Sequence, residues 1–523
     1  MAGRSGFALT GVELRFKAYI NGKPATAIEL DGAYLVGSDG VPLRADISFN
    51  NGEVHCVKRA QGPAGLSLVW NVNGFGRIML ETTRLPDDDR PYNLNVELAR
   101  CRLMRIYQKR EDWGLFEPGE AADIMADIDR ARDLFIESLK VEDGGKASLF
   151  ADESLRLACD AGERLSLFHA DVFLGRRRQS GTFARRVFGC SVDLLSLNEN
   201  YCRRLVEGFD FLCLPIIWRR IEPKEQDFNW VQLDAWVEWL TKNRIPIKAF
   251  PLVAFDEANI PDWLYIWEHD FETVRDLVYD HINRIVERYG SYVQLWDVIS
   301  AIHADNCFNF NFEQLMELTR MAATLTKQLA PRSTTIIDLV APWGEYYARN
   351  QRTIPPMLYA DMTVQSGINF DAFGLQFYFG LAREGMYMRD LMQVCSMIDR
   401  LGALGKPLHI TALQVPSATT PDQWDAWGGA VSVEDGGYWH EAWSEDLQAR
   451  WLRDFVRIAL SRPFVETITW RDLADYEGHY LPHGGLLHRD LSPKKAYAEL
   501  IRLRRLIPRV EEKRRRRPPS HPT

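Results

Sequence analysis

The chain has 523 residues, 46% of them hydrophobic and 26% charged, with a formal net charge of -9. This is the balance of a globular protein with room for about two to four domains at roughly 100 to 200 residues each, and its acidity excludes a general nucleic-acid or membrane-surface binder, which needs an extended basic face. The opening MAGRSGFALTGVELRF lacks an apolar core of signal-peptide length, and nowhere do about 18 apolar residues run together; the expectation is a cytoplasmic protein with no membrane partner.

Residues 1–115 begin with period-two alternation (Val12, Leu14, Phe16, Ala18, Ile20) broken by Asn21-Gly22, Asp39-Gly40, Asn51-Gly52 and Asn73-Gly74. Such dipeptides supply the positive φ of tight hairpins, so the segment is expected to be an antiparallel β domain, sandwich-like, serving as a carbohydrate-binding module or a structural cap. Apolar residues at helical spacing from Leu94 to Tyr107, then Ile124, Ile128, Ala131 and Phe135, then a run from Leu155, mark helices; residues 116–184 read as a helical connector. The Arg176, Arg177, Arg178 run near its end reads as a solvated turn. Eight cysteines, with no CxxC pair, are scattered through apolar segments and read as reduced, buried thiols.

From 185 to 506 short apolar runs alternate with helical patterns. The runs are VFGCSVDL (187–194), FDFLCLP (209–215), IPIKAFPLV (245–253), VQLWDVIS (293–300), TTIIDLV (334–340), FDAFGLQFYF (370–379), PLHITALQV (407–415) and TITWRDL (467–473). Eight strand-helix units predict an α/β fold, a (β/α)8 TIM barrel preceded by the β-sandwich-like domain and the helical connector, with any active site at the C-terminal strand ends. Residues 507–523, with Lys513 and four arginines at 514–517, read as a basic disordered tail and leave the only opening for a nucleic-acid contact.

Within 185–506 the residues resemble glycoside hydrolase family 10, the xylanases. WRRIEPKEQDFNW (218–230) is similar to the family's WxxxEPxxGxFxF, IPDWL (260–264) to xPxWL, WDVIS (296–300) to WDVVNE, GLQFY (374–378) to GxQxH and ITALQ (410–414) to ITELD. WRDLADYEGHYLPHGGLLHRDLSPKKAYAEL (470–500) is similar to its last strand and final PKxAY helix. The resemblance implies a retaining hydrolase with two carboxyl groups about 5 Å apart, one acid/base and one nucleophile. It places the acid/base at Ala301 and the nucleophile at Ala412, and a methyl group can neither donate a proton nor attack an anomeric carbon. Other family positions differ too: Ser300 for an asparagine, Leu214 and Ile217 for the sugar-gripping asparagine and lysine, Phe250 and Ala254 for a histidine and tryptophan, Tyr378 for a histidine, and Gln414 for an aspartate. Preserved are Trp296, Asp297, Gly374, Pro493, Ala496 and Tyr497, which packing alone would favour.

Three functional readings follow. The leading one is a non-catalytic relative that binds a carbohydrate or a protein partner at the barrel mouth through residues drawn from Trp218, Ser300, His303, Gln376, Tyr378, Gln414, Trp424, Trp427 and Trp470. Of these, Trp424 and Trp427 belong to a loop between Pro416 and Trp451 that also carries Tyr438, Trp439 and Trp443; flat rings on a catalytic rim hold sugars, or else pack the loop down. The second is an active hydrolase whose carboxylates have moved to Asp256, Glu257, Glu345 or Asp472, against which stands their ordinary reading as loop charges. The third is a structural assembly component. No cofactor or metal is implied, since His303 with Asp305 lacks a third ligand.

Overall fold

The computed structural model describes residues 12–115 and 119–507, so apart from Ile507 the basic tail lies outside the described residues. The chain forms two compact units. The first comprises the residues up to Leu165 with Gly344–Gln351 and Tyr387–Arg389; the second comprises Ser166–Trp343, Arg352–Met386 and the residues from Asp390 onward.

The first unit contains two larger sheets and a two-stranded antiparallel pair, Tyr19–Ile20 with Lys23–Pro24. One orders Tyr92–Asn93, Val12–Lys17, Glu53–Lys58 and Ala45–Asn50, and the other includes Gly76–Glu81, Ala64–Val72, Tyr34–Gly37 and Pro42–Leu43 as successive neighbours. Alternation buries Leu14 and Phe16 on one strand and Val54 and Cys56 on the next, while Asn51 and Gly52, at φ 50° and 84°, turn the hairpin between Ala45–Asn50 and Glu53–Lys58. The expected antiparallel pairing is corrected at one edge. Phe16 pairs with Tyr92 in parallel, because Tyr92–Asn93 arrives by a long connection and not through a tight turn.

Helices Leu94–Asp112, Ala122–Lys140 and Gly144–Ser180 follow. In the first, Asn95 donates through Nδ2 to Tyr19 O at 3.0 Å and to Asp152 Oδ1 at 2.8 Å. Burial pushes the Asp152 carboxyl up to about 6, with the Asn95 hydrogen bond opposing it. A group whose folded pKa lies above its unfolded value contributes fully at pH below about 4 and loses that contribution as pH rises through about 6. Asp152→Asn, which removes the charge and keeps an acceptor, is therefore expected to match the parent near pH 4 and exceed it by about 2 kcal/mol at pH 8. Denaturant titrations at the two pH values check this; equal differences at both would refute it.

The second unit is a closed barrel of eight parallel strands in chain order: β1 (Phe188–Ser191), β2 (Phe211–Pro215), β3 (Ile247–Phe250), β4 (Val293–Ser300), β5 (Thr334–Leu339), β6 (Ala372–Tyr378), β7 (Leu408–Gln414) and β8 (Val465–Trp470). Strands covered on both faces read as unbroken apolar runs, which is why these segments stood out in the sequence. The Arg176–Arg178 run is not the turn expected of it. It lies within helix Gly144–Ser180, and Arg177 is buried, donating to the carbonyls of Leu460 and Arg462 at 2.8 Å each, where helix Glu445–Ser461 ends, and to that of Val465 at the start of β8 at 3.2 Å. All eight cysteines are free thiols, seven of them buried. No described helix is long and apolar enough to cross a membrane.

Candidate functional site

The C-terminal ends of the barrel strands carry a buried polar floor. Asp338 on β5 is its centre: its carboxylate accepts from Ser300 Oγ on β4 at 2.7 Å, from Gln376 Nε2 on β6 and from Thr411 Oγ1 on β7. Deeper, Lys248 on β3 and Asp297 on β4 form an ion pair at 2.9 Å, each only 1% exposed. Burial pushes Asp297 up to about 7 against the pull of Lys248. In Lys248 burial acts the other way, but Asp297 outweighs it and the ammonium is held above its ordinary value. A third knot ties Asp472 to Gln414 Nε2 at 3.0 Å, Tyr476 OH at 2.5 Å and Tyr480 N at 2.8 Å.

Neither alanine at the strand ends has a polar side chain to offer. Ala301 follows β4 with φ +59°, and its carbonyl accepts from the N–H groups of Ala304 and Asp305 in a tight turn. A left-handed conformation at a residue with a Cβ costs about 1 kcal/mol. Ala412 is buried within β7, opposite Gln376. The ladder is irregular beside both: between Asp297 and Ile299 on β4, between Leu375 and Gln376 on β6, and between Ile410 and Leu413 where β7 meets β8. Such irregularities recur next to active sites, where they re-aim side chains.

Above the floor a ladder of rings and guanidinium groups lines one side. Tyr480 lies 4.6 Å from Tyr378 and 5.1 Å from Trp427 between ring centroids; Arg471 lies 5.3 Å from the rings of both Phe250 and Tyr480; Arg383 lies 5.2 Å from Trp427. The tryptophan loop is fastened by Asp422, which accepts from Trp424 N and His483 N at 3.0 Å each and lies 3.0 Å from His479 Nε2. Burial would raise this carboxyl, but the His483 and Trp424 N–H donors outweigh it and hold it below the usual range.

Ser300, Gln376, Gln414, Asp472, Tyr378 and Trp427 therefore come together at the mouth, while several residues singled out with them do not. Trp218 is a core ring and not a platform: 3% exposed, stacked on His281 at 4.0 Å and donating to Glu222 at 2.8 Å. Trp470 is likewise buried, its Nε1 donating to Gly484 O at 3.0 Å. His303 is fully buried and stacked against Tyr359, and burial lowers it to about 4, so it stays neutral and faces the Val340 carbonyl. Trp424 is exposed, yet the Arg489 guanidinium lies 3.6 Å from its ring centroid and covers one face. Among the relocated-carboxylate candidates, Glu345 is taken into the first unit, where Arg389 pairs with it and also donates to Tyr34 OH at 3.0 Å. Asp256 organises its own loop, accepting from Ala258 N at 3.0 Å and Asn259 Nδ2 at 2.5 Å, and Glu257 is exposed. Among the described residues no group of three or more His, Cys, Asp or Glu is placed to hold a metal ion.

Asp338, Thr411 and Lys248 were not anticipated. The signal was present: a charged residue inside each of the apolar runs TTIIDLV and IPIKAFPLV must find a buried partner, because an unpaired charge there is prohibitively costly.

A closed (β/α)8 barrel with a polar, aromatic-lined floor at its C-terminal strand ends has the architecture of a TIM-barrel enzyme scaffold. The family model described as glycosyl hydrolase family 10 matches residues 215–502, and the chain belongs to that family. Similar proteins include an endo-β-1,4-xylanase of Cellvibrio japonicus, 30% identical over 88 residues that make up 16% of this chain and 14% of the relative. An endo-1,4-β-xylanase C of Paenibacillus barcinonensis is 20% identical over 37% of this chain and 19% of its own length. An endo-1,4-β-xylanase B of Thermotoga neapolitana is 22% identical over 54% of this chain and 75% of its own. The matched stretches thus span less than a fifth of the first two relatives. Among solved structures, a family 10 protein from Paenibacillus barcinonensis aligns with TM-score 0.46 at 17% identity, covering 63% of this chain and 97% of that one. Xylanase 10B from Thermotoga maritima aligns with TM-score 0.46 at 16% identity, covering 65% and 99%.

Proposed function

We propose that this family 10 chain binds carbohydrate at the barrel mouth without hydrolysing it. The observation that carries the reading is how the mouth carboxylates are used. Glycoside hydrolysis needs two carboxyl groups about 5 to 9.5 Å apart and free to act on substrate. Here Asp338 and Asp472 each serve three protein donors, Asp297 is paired with Lys248, and the two strand-end positions assigned to the catalytic pair by resemblance hold the methyl groups of Ala301 and Ala412. The rings of Tyr378, Tyr480 and Trp427 beside amide and hydroxyl groups suit the apolar faces of a sugar.

The names of the similar proteins make β-1,4-linked xylose the first ligand to try. Titration calorimetry with xylotetraose is expected to give saturable binding, weakened at least about tenfold by Trp427→Ala, the loss of roughly one stacking contact. Reducing-sugar release from xylan is expected to stay at the buffer level. Turnover by the parent chain that disappears in Asp256→Asn or Asp305→Asn would overturn the non-hydrolytic reading and favour displaced carboxylates, since burial and then the charge of nearby Asp256 raise the Asp305 carboxyl above its ordinary value.

A further inference from the structure

The opposite, N-terminal end of the barrel holds a recess of about 360 Å3. Its walls come from the segment before β1 and from the first residues of β2, β4, β5, β7 and β8, including Arg185, Arg186, Arg332, Phe211, His409 and Glu466. In a TIM barrel this face ordinarily serves stability, so its side chains should be paired or apolar. Two of the cations depart from that. Arg186 and Arg332 are exposed at the recess and make no ion pair or side-chain hydrogen bond with any described residue, whereas Arg185 is engaged by the protein.

The floor departs from it as well. His409 is 2% exposed; its Nδ1 is engaged by Thr467 Oγ1 at 2.8 Å, but its Nε2 has no hydrogen-bond partner, the Glu466 carboxylate standing 3.5 Å away. A buried ring nitrogen without a partner is unfavourable, and a bound ligand that accepts from it or donates to it would relieve that cost. Burial raises the carboxyl of Glu466, the single acid in the wall, with the charge of Arg177 acting more weakly in the other direction. Arg186 and Arg332 alone against Glu466 leave a surplus of positive charge.

We propose that this recess binds a phosphate monoester, its dianion held between Arg186 and Arg332 and its organic body against Phe211. Guanidinium forks match phosphate oxygens in pairs, and Arg is the residue best suited to that geometry. Burial drives the His409 imidazole down to about 3, so it remains neutral and can present an Nε2–H to a phosphate oxygen while Nδ1 accepts from Thr467. Though Arg186 is exposed at the rim of the recess, partial desolvation and the neighbouring Arg185 disfavour its charged form, with Asp210 opposing them, and a bound dianion relieves that penalty. The recess volume falls at the small end of organic-ligand sites, about 300 to 1,000 Å3, and exceeds what a bare phosphate fills.

Titration calorimetry of the full chain at low salt, with glucose 6-phosphate, AMP, inorganic phosphate and glucose, tests the assignment. Saturable sub-millimolar binding of at least one ester is expected, with glucose silent and inorganic phosphate weaker; the tighter ester identifies a sugar or a nucleoside as the body. Arg186→Gln and Arg332→Gln, both surface changes that leave the core intact, are each expected to weaken the ester about tenfold or more, with circular dichroism unchanged. The proposal is overturned if no phosphate saturates by about 10 mM, if the double variant binds as the parent does, or if glucose binds as well as its phosphate. Inorganic phosphate binding as tightly as both esters overturns the organic body.

Discussion

Alanine at Gly374 is expected to destabilise the barrel by about 3 to 5 kcal/mol and lower its melting temperature by roughly 10 °C. A Cβ there would lie 2.3 Å from Asp338 Oδ1 and 2.7 Å from Thr411 Cγ2, and all three residues are buried between β5, β6 and β7. Neither neighbour can yield cheaply. Moving Thr411 breaks its bond to Asp338, and moving Asp338 also strands Ser300 and Gln376. Overpacking alone costs about 1 to 3 kcal/mol, and the displaced carboxylate adds the cost of hydrogen bonds to a charged group. Calorimetry on the single variant measures the sum. If displacement of Asp338 is the mechanism, Asp338→Asn will add little to Gly374→Ala in the double variant, whereas independent effects would simply add. A Gly374→Ala protein within 1 kcal/mol of the parent would show that the β5–β7 floor can rearrange.

The second large effect is on acid stability. His281, His303 and His409 are all buried, and burial lowers them to about 3, 4 and 3. Between about pH 6.5 and pH 4 the unfolded chain takes up three protons at these sites that the folded chain does not. Their contribution is fully present above pH 6.5 and is lost as pH falls, by up to about 1.4 kcal/mol per pH unit for each histidine. Asp152 and Asp297, raised to about 6 and about 7, act in the opposite sense, since the folded chain protonates them first. The histidine contribution is therefore read from the difference between variant and parent profiles, in which the carboxyl contributions cancel. His303→Phe, which keeps a ring against Tyr359, is expected to flatten the slope by about one histidine's share. Urea midpoints measured from pH 7 to pH 4 decide it; parallel profiles for variant and parent would refute the assignment.

Much of the barrel was legible because parallel strands buried on both faces write themselves as apolar runs. VQLWDVIS spans the whole of β4, and the other seven runs each contain most of a strand. The errors are at the ends, and they have one cause: residues such as Val192, Leu252 and Val253 leave the ladder yet stay buried, so hydrophobicity continues after the strand stops. The polar floor was half legible. Ser300, Gln376 and Gln414 could be placed by motif position, but their anchors, Asp338 and Asp472, depend on register between strands 38 to 73 residues apart, which no local pattern encodes. Aromatic residues misled for a related reason: Trp218, Trp424 and Trp427 look alike in sequence, and only packing distinguishes a core ring, one covered by Arg489 and one set beside Tyr480 and Arg383.

Two short pieces of the barrel chain, Gly344–Gln351 and Tyr387–Arg389, are built into the first unit, where Glu345 and Arg389 pair at 4% exposure each and Tyr387 packs over Gly32. Neither unit is thus one continuous stretch of the chain. A gene fragment encoding residues 185–506 would inherit a charged pair without the Tyr34 hydroxyl that completes it, and a fragment ending at 165 would lose both Gly344–Gln351 and Tyr387–Arg389, eleven residues of its own unit, to the far side of the cut. Recombination that swaps catalytic and accessory modules by a single crossover could not cleanly exchange this pair, so the two parts are expected to have diverged together, under one shared set of constraints.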